Sequence, residues 1–426
     1  MTQRIRRLVL VVALAAGSAA LAQGPAGAQA AAMPKTGMVC NDGTPVGTTR
    51  TFNLRANTGH IDTPDGNSIF MWSYAPVAED DSSPFQTPGP VLCANEDETV
   101  VVTLDNTLPE ATSIVFPGQE GVTASGGTPG PLTTEAVDAT NDVTYTFAAS
   151  EPGTYLYESG SDPAKQIEMG LYGALIVRPT LGPNYAYDDA STQFDPSREY
   201  LLVLSEIDPD LHHAVELGRP LDLSKFDDKY WQINGRSFPD TIADNSASWL
   251  PNQPYGALVQ VRPYDAATNP YPALIRYANA GMVNHPFHPH GNHLRVIARD
   301  GRLLRGPGGE DTSFEDFTRT IGSGQTYDLL FKWTNVDAWI DPGGDPVPVE
   351  IPGQQNLVFK DDATFYSGDP ELGEQDELPV NVTSYNECGE FYFPWHSHAL
   401  FEFTNFDEGF GGLATLLRVD PPGGCP

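Results

Sequence analysis

His285-Pro286-Phe287-His288-Pro289-His290-Gly291-Asn292-His293 and, far downstream, Phe393-Pro394-Trp395-His396-Ser397-His398 hold six of the chain's nine histidines. On an extended strand, side chains two apart share a face. His288 and His290 can therefore converge, as can His396 and His398, while His285 projects differently. Two such pairs on neighbouring strands would present four imidazoles to one or two metal ions. Imidazole suits copper, zinc, nickel or iron. The competing expectation is a polar histidine patch on a sheet edge.

The surrounding sequence argues for strands. Short alternating runs stand between Gly and Pro signals, in a chain with 41 Gly and 38 Pro. Val100–Leu104, Val143–Phe147 and Gly173–Val177 form one set. Tyr200–Leu204, Ala257–Val261, Ala273–Tyr277, His293–Ile297, Tyr327–Phe331 and Leu413–Leu417 form a second. Period-two runs with this punctuation predict antiparallel β-sandwiches, hence an all-β class with no long amphipathic helix. The polar stretch 181–197 reads as a linker between units at 31–180 and 198–426. From Thr334 to Glu387 runs a long loop-like region dense in Pro, Gly and Asp. It is read as an insertion, with a lid as the alternative.

The first residues, Met1 to Arg7, carry three arginines and precede an apolar run from Leu8 to about Leu21 and the small-residue site Ala28-Gln29-Ala30. This is read as a signal peptide over residues 1–30, so a secreted, extracytoplasmic protein is expected. The apolar run is short for a bilayer span, which needs about 20 residues. With 56 acidic and 23 basic residues the net charge is −33. That disfavours nucleic acid and anionic membranes as partners. Four cysteines outside the cytosol suggest two disulfides, and their early and late placement makes Cys40–Cys93 and Cys388–Cys425 the economical pairing.

The first histidine segment resembles the His-Pro-x-His-x-His-Gly element of multicopper oxidases, and the second resembles their His-Cys-His element. Pro88-Gly89-Pro90-Val91, Ser113-Ile114-Val115-Phe116-Pro117-Gly118, Pro152 to Gly160 and Gly170 to Val177 extend the likeness over nearly the whole mature chain, in order. The resemblance implies two cupredoxin-like Greek-key β-sandwich domains, as in two-domain laccases and copper nitrite reductases. It also puts a homotrimer among the expectations.

Carried over residue by residue, the resemblance also shows losses. Such oxidases take electrons through a blue copper held by two histidines and a cysteine thiolate. A trinuclear cluster held by eight histidines then reduces oxygen. His285 stands at the first blue-copper histidine, but the thiolate position is Ser397 and the second histidine position is Glu402. His288, His290, His396 and His398 keep the four cluster positions of the last domain. The four owed by the first domain read Val115, Pro117, Glu158 and Gly160. Glu158 would face the same metal as His398, with Tyr157 and Glu168 nearby. A carboxylate added to histidines suits copper, zinc, iron or manganese. The alternative for Glu158 is a hydrogen bond that ties the domains. His60, His212 and His213 lie outside both motifs and read as surface or loop residues.

Three functions compete at this point. One is a transition-metal protein binding a single copper (zinc or manganese as alternatives) through His288, His290, His396 and His398, with His285 and Glu158 as further candidates and oxidase activity weak or absent. The others are a metal-free scaffold and an oxidoreductase with an unusual ligand set.

Overall fold

Strand formation follows the alternating pattern most plainly at Thr99–Asn106, where Val100, Val102 and Leu104 are buried and the residues between them are partly exposed. Val143–Ala148 repeats this with Val143, Tyr145 and Phe147. A computed structural model describes residues 34–334, 357–360, 363–366, 376–377, 391–409, 411–420 and 423–424. The signal-peptide expectation and the Cys388–Cys425 pairing lie outside them.

The first sandwich has one sheet in the order Thr44–Val46, Thr49–Asp62, Thr99–Asn106, Val143–Ala148 and Thr123–Gly126, with Ser68–Pro76 also on Thr49–Asp62. Its second sheet is Gly153–Glu158, Tyr172–Arg178 and Leu92–Asn95. Between them Phe52, Trp72, Leu104, Tyr145, Tyr157 and Leu175 form the core. Cys40 and Cys93 form a disulfide.

In the second sandwich, Glu199–Ile207 pairs with Ala273–Asn279 and Tyr230–Ile233 in one sheet. The facing sheet runs Val259–Val261, Ala414–Val419, Phe391–Ser397, His285–Pro289 and Arg319–Ile321. That second sheet carries both histidine segments side by side. The architecture is all-β, with two cupredoxin-like sandwiches. Among the described residues the longest helix is Pro209–Glu216.

The sheets are mixed rather than purely antiparallel. Leu92–Asn95 runs parallel to Tyr172–Arg178, Thr49–Asp62 to Thr99–Asn106, Glu199–Ile207 to Ala273–Asn279, and Val259–Val261 to Ala414–Val419. Period-two patterning reports which face of a strand is buried. It says nothing of a neighbour's direction, which crossovers between sheets set.

Residues from Pro34 onward belong to one compact unit. An apolar layer joins the sandwiches, where Leu156, Ala174 and Ile176 meet Leu201, Val203 and Ala278. Beside it Arg276, fully buried, bonds Glu199 at 2.7 Å, Asp328 at 3.1 Å and Thr154 of the first sandwich at 2.9 Å. Within 181–197, Ala186, Tyr187 and Phe194 pack against Leu274, Ile297 and Leu330. Inside the 334–387 region, Leu357–Lys360, Ala363–Tyr366 and Asp376–Glu377 form a small antiparallel sheet. Its other residues beyond Thr334 lie outside those described.

Candidate metal centre

The antiparallel register of His285–Pro289 against Phe391–Ser397 places His288 opposite His396 and Phe287 opposite Ser397. Opposed residues share a face. His288, His290, His396 and His398 therefore stand on one face, and His285, Phe287, Trp395 and Ser397 on the other. The two sequence motifs together build two separate sites, one on each side of the same sheet.

On the first face the four rings cluster. Ring centres lie 4.7 Å apart for His288 and His290, 5.2 Å for His288 and His398, and 5.3 Å for His290 and His396. Nδ1–H of His396 donates to the Ser397 carbonyl at 2.7 Å, and that of His288 to the Phe317 carbonyl at 2.7 Å. Both rings thus direct an Nε2 lone pair elsewhere, the tautomer a metal ligand needs. Nε2 of His396 faces Nε2 of His290 at 3.2 Å. Two nitrogens each about 2.0 Å from one ion in tetrahedral geometry would be roughly 3.3 Å apart.

Burial pushes His396 down to about 4, helped by His288 and His398, and also lowers His288. Both are neutral at pH 7, so little proton competition opposes a metal. The donor chemistry fits a copper or zinc ion. Even so, no three His, Cys, Asp or Glu side chains among the described residues are gathered to hold an ion as they stand. The His290–His396 pair is in place; His288 or His398 has to turn to complete a set.

On the opposite face, the three positions of a blue copper do come together, without its chemistry. His285 is fully buried and bonds Glu402 through Nδ1 at 2.9 Å and Glu206 through Nε2 at 3.2 Å. Ser397 donates its hydroxyl to the same Glu402 oxygen. Glu206 is held in turn by the backbone N–H of Met282 and, at 2.9 Å, of Val283. Burial alone would lower His285, but hydrogen bonds and charge from Glu206 and Glu402 outweigh it and raise it to about 9. The ring is therefore an imidazolium at neutral pH, with both nitrogens spent on carboxylates. That arrangement does not fit a thiolate copper.

Glu206 escaped the sequence reading, as it follows an ordinary apolar run, Tyr200–Leu204, with no spacing that ties it to His285. Asp228 was missed too. Burial, with Glu168, Glu206 and Asp208 nearby, raises it to about 9.

In the first sandwich, Val115 and Glu158 face each other across backbone bonds of 2.8 and 3.1 Å. A Cβ added at Gly160 would meet Val115 Cγ1 at 2.7 Å. Packing has thus closed that position to a histidine. Glu158 makes no side-chain hydrogen bond or ion pair among the described residues, and burial raises its pKa. Tyr157 is committed elsewhere, donating to the Pro90 carbonyl at 2.7 Å. Glu168 is also engaged, accepting from the Asp208 N–H at 2.7 Å beside His212. His212 is not a surface residue: it is fully buried, with ring nitrogens 2.6 Å from the Phe70 carbonyl and 3.1 Å from that of Glu168. A helix that docks its His onto a strand leaves no spaced partner in sequence. His60 and His213 both lie beside Glu216 at the surface.

Paired β-sandwiches with histidines on adjacent strands of the second one define a cupredoxin-type fold. Residues 85–181 match the family model described as multicopper oxidase, and over that stretch the chain is similar to that family. Copper resistance protein A of Escherichia coli is 30% identical over 164 residues, which is 37% of this chain and 25% of that protein. L-ascorbate oxidase of Brassica rapa is 29% identical over 261 residues, 58% of this chain and 42% of the relative. The matched stretches thus span less than half of these relatives. The blue copper oxidase of Nitrosomonas europaea shares the fold, with a TM-score of 0.56 at 18% identity over 88% of this chain and 86% of that one. No helix among the described residues is long and apolar enough to cross a membrane.

Proposed function

We propose that this chain is a secreted metal-binding relative of the multicopper oxidases. It takes one copper ion through His290 and His396, completed by His288 or His398, and has little or no oxidase activity. The observation that carries the reading is the contrast between the two faces of one sheet. Neutral imidazoles with anchored Nδ1 atoms stand on one face, and an imidazolium clamped by two carboxylates stands where an electron-entry copper would need a thiolate.

Copper held at the four histidines would supply a Lewis-acid or one-electron centre. The chain's own residues orient the donors: Phe317 and Ser397 fix two rings through their carbonyls. The account leaves His285 and Glu158 out of the ligand set, the first because both of its nitrogens are engaged. A homotrimer would not restore the cluster, because every copy carries Val115, Pro117, Glu158 and Gly160.

A metal-free scaffold is the second reading, favoured by the absence of a ready three-donor group among the described residues. Copper loading, dialysis and elemental analysis separate the two. About one copper per chain, lost in His290→Ala/His396→Ala, supports the metal reading; less than about 0.2 per chain supports the scaffold.

A further inference from the structure

Residues 34–40 form no strand, yet the segment is tied to both sandwiches. Toward the second, the Asn245 side-chain amide donates to the Pro34 and Gly37 carbonyls at 2.9 and 3.0 Å. The Asn245 backbone N–H donates to the Lys35 carbonyl at 2.7 Å, and the Met38 N–H to the Glu199 carbonyl at 2.8 Å. Asn245 is itself buried and accepts from the Gly256 N–H at 2.7 Å, so one fixed residue holds three carbonyls of the segment. Toward the first sandwich, the Asn41 N–H donates to the Val91 carbonyl at 2.7 Å, and next to it stands the Cys40–Cys93 disulfide.

Between these anchors the segment caps the seam. Met38 and Cys40 pack on the apolar layer that joins the sandwiches. Where Met38 and Val39 meet Ala174 of the first sandwich and Leu201, Val203 and Tyr255 of the second, about 10 Å³ is left free. That is room for no more than about one water. Arg178 closes the same corner, donating to both Glu199 oxygens at 2.7 Å and lying 3.7 Å from Cys40 Sγ. Cys93 is buried, whereas Cys40 is half-buried. A thiolate arriving from solvent therefore meets Cys40 Sγ first, and the guanidinium draws an anion to it.

We propose that residues 34–41 are a redox-latched strap across the seam, closed while Cys40–Cys93 is oxidised and released from the second sandwich by a dithiol reductant. One thiolate of the dithiol attacks Cys40 Sγ. The Cys40–Cys93 bond breaks, and Cys93 Sγ leaves with the electron pair and takes a proton. The second thiolate of the reductant displaces Cys40 Sγ, which is protonated in turn. The chain gains two electrons and two protons as two thiols, and the reductant becomes a disulfide. Afterwards hydrogen bonds and the Met38 side chain alone hold residues 34–40, against the backbone entropy of ordering each of them. The latch removes part of that cost by fixing Cys40 beside its anchors. Release uncovers the apolar seam. No metal enters the argument, so it stands apart from the copper reading.

The test is amide hydrogen exchange of the full chain, oxidised and after dithiothreitol, well below its melting temperature. The Met38 and Asn245 amides report release, because each bonds a carbonyl across the strap contact. Expected is exchange about tenfold or more faster at both, with Thr99–Asn106 and Ala273–Asn279 unchanged and the original rates restored on reoxidation. Cys40→Ser/Cys93→Ser should show the released pattern without reductant and gain nothing from it, which assigns the effect to this pair of cysteines. Asn245→Ala, with the disulfide intact, should free the Met38 amide alone of the core strands, a second route if the cysteine variant does not fold. Unchanged exchange at Asn245 on reduction, a uniform rise across both sandwiches, or a response to dithiothreitol that persists in the cysteine variant would overturn the proposal.

Discussion

Replacing Glu402 by Gln removes one carboxylate from His285 while keeping its shape and its contact with Ser397. With His285 held near 9 against an ordinary 6.5, the charged form gains roughly 3 kcal/mol from its surroundings at 1.36 kcal/mol per unit. Removing one partner of a buried pair costs about 3–5 kcal/mol when the remaining charge is stranded. Here Glu206 still holds the ring, so a loss of about 2–3 kcal/mol at pH 6.5 is expected. For a sandwich of this size that is roughly 4–10 °C in melting temperature. The sign with pH follows from linkage. A folded pKa raised above its unfolded value gives stability that is full below about 6.5 and lost as pH climbs through about 9. The gap between wild type and Glu402→Gln should therefore be widest near pH 6.5 and close towards pH 9.5. Thermal unfolding followed by circular dichroism across that window measures it. Parallel curves, or a variant as stable as wild type at pH 6.5, would refute the imidazolium clamp.

Other consequences are quicker to check. Ser397→Cys alone should give no intense blue band on copper loading, because Glu402 still occupies the second histidine position and Glu206 still holds the ring; absorbance decides it. Gly160→His should destabilise the first sandwich by about 2 kcal/mol or more, since its Cβ collides with Val115 at 2.7 Å, and should add no copper by elemental analysis. Arg276→Met should cost about 3 kcal/mol or more, read as a fall in melting temperature, because Glu199 and Asp328 lose a buried cation.

Much of the fold was legible because burial writes itself into period two. Val100, Val102 and Leu104 announce a strand whatever their neighbours, and the His-x-His pairs announce a shared face. What period two lacks is direction and partnership. The parallel neighbours of Thr49–Asp62 and Glu199–Ile207 left no trace in either strand. The four histidines were readable since each pair lies within one short segment, and His288 meets His396 by register. His212 misled because its partners, the Phe70 and Glu168 carbonyls, are backbone atoms of distant segments. Glu206 was invisible for a related reason: a carboxylate near the end of an apolar strand looks like a solvated terminus until the fold brings His285 to it.

Anomalous scattering from a copper-soaked crystal goes directly to the centre of the account. It should show a single copper between His290 and His396 and no peak beside His285. A copper bonded among His285, Ser397 and Glu402 would contradict it.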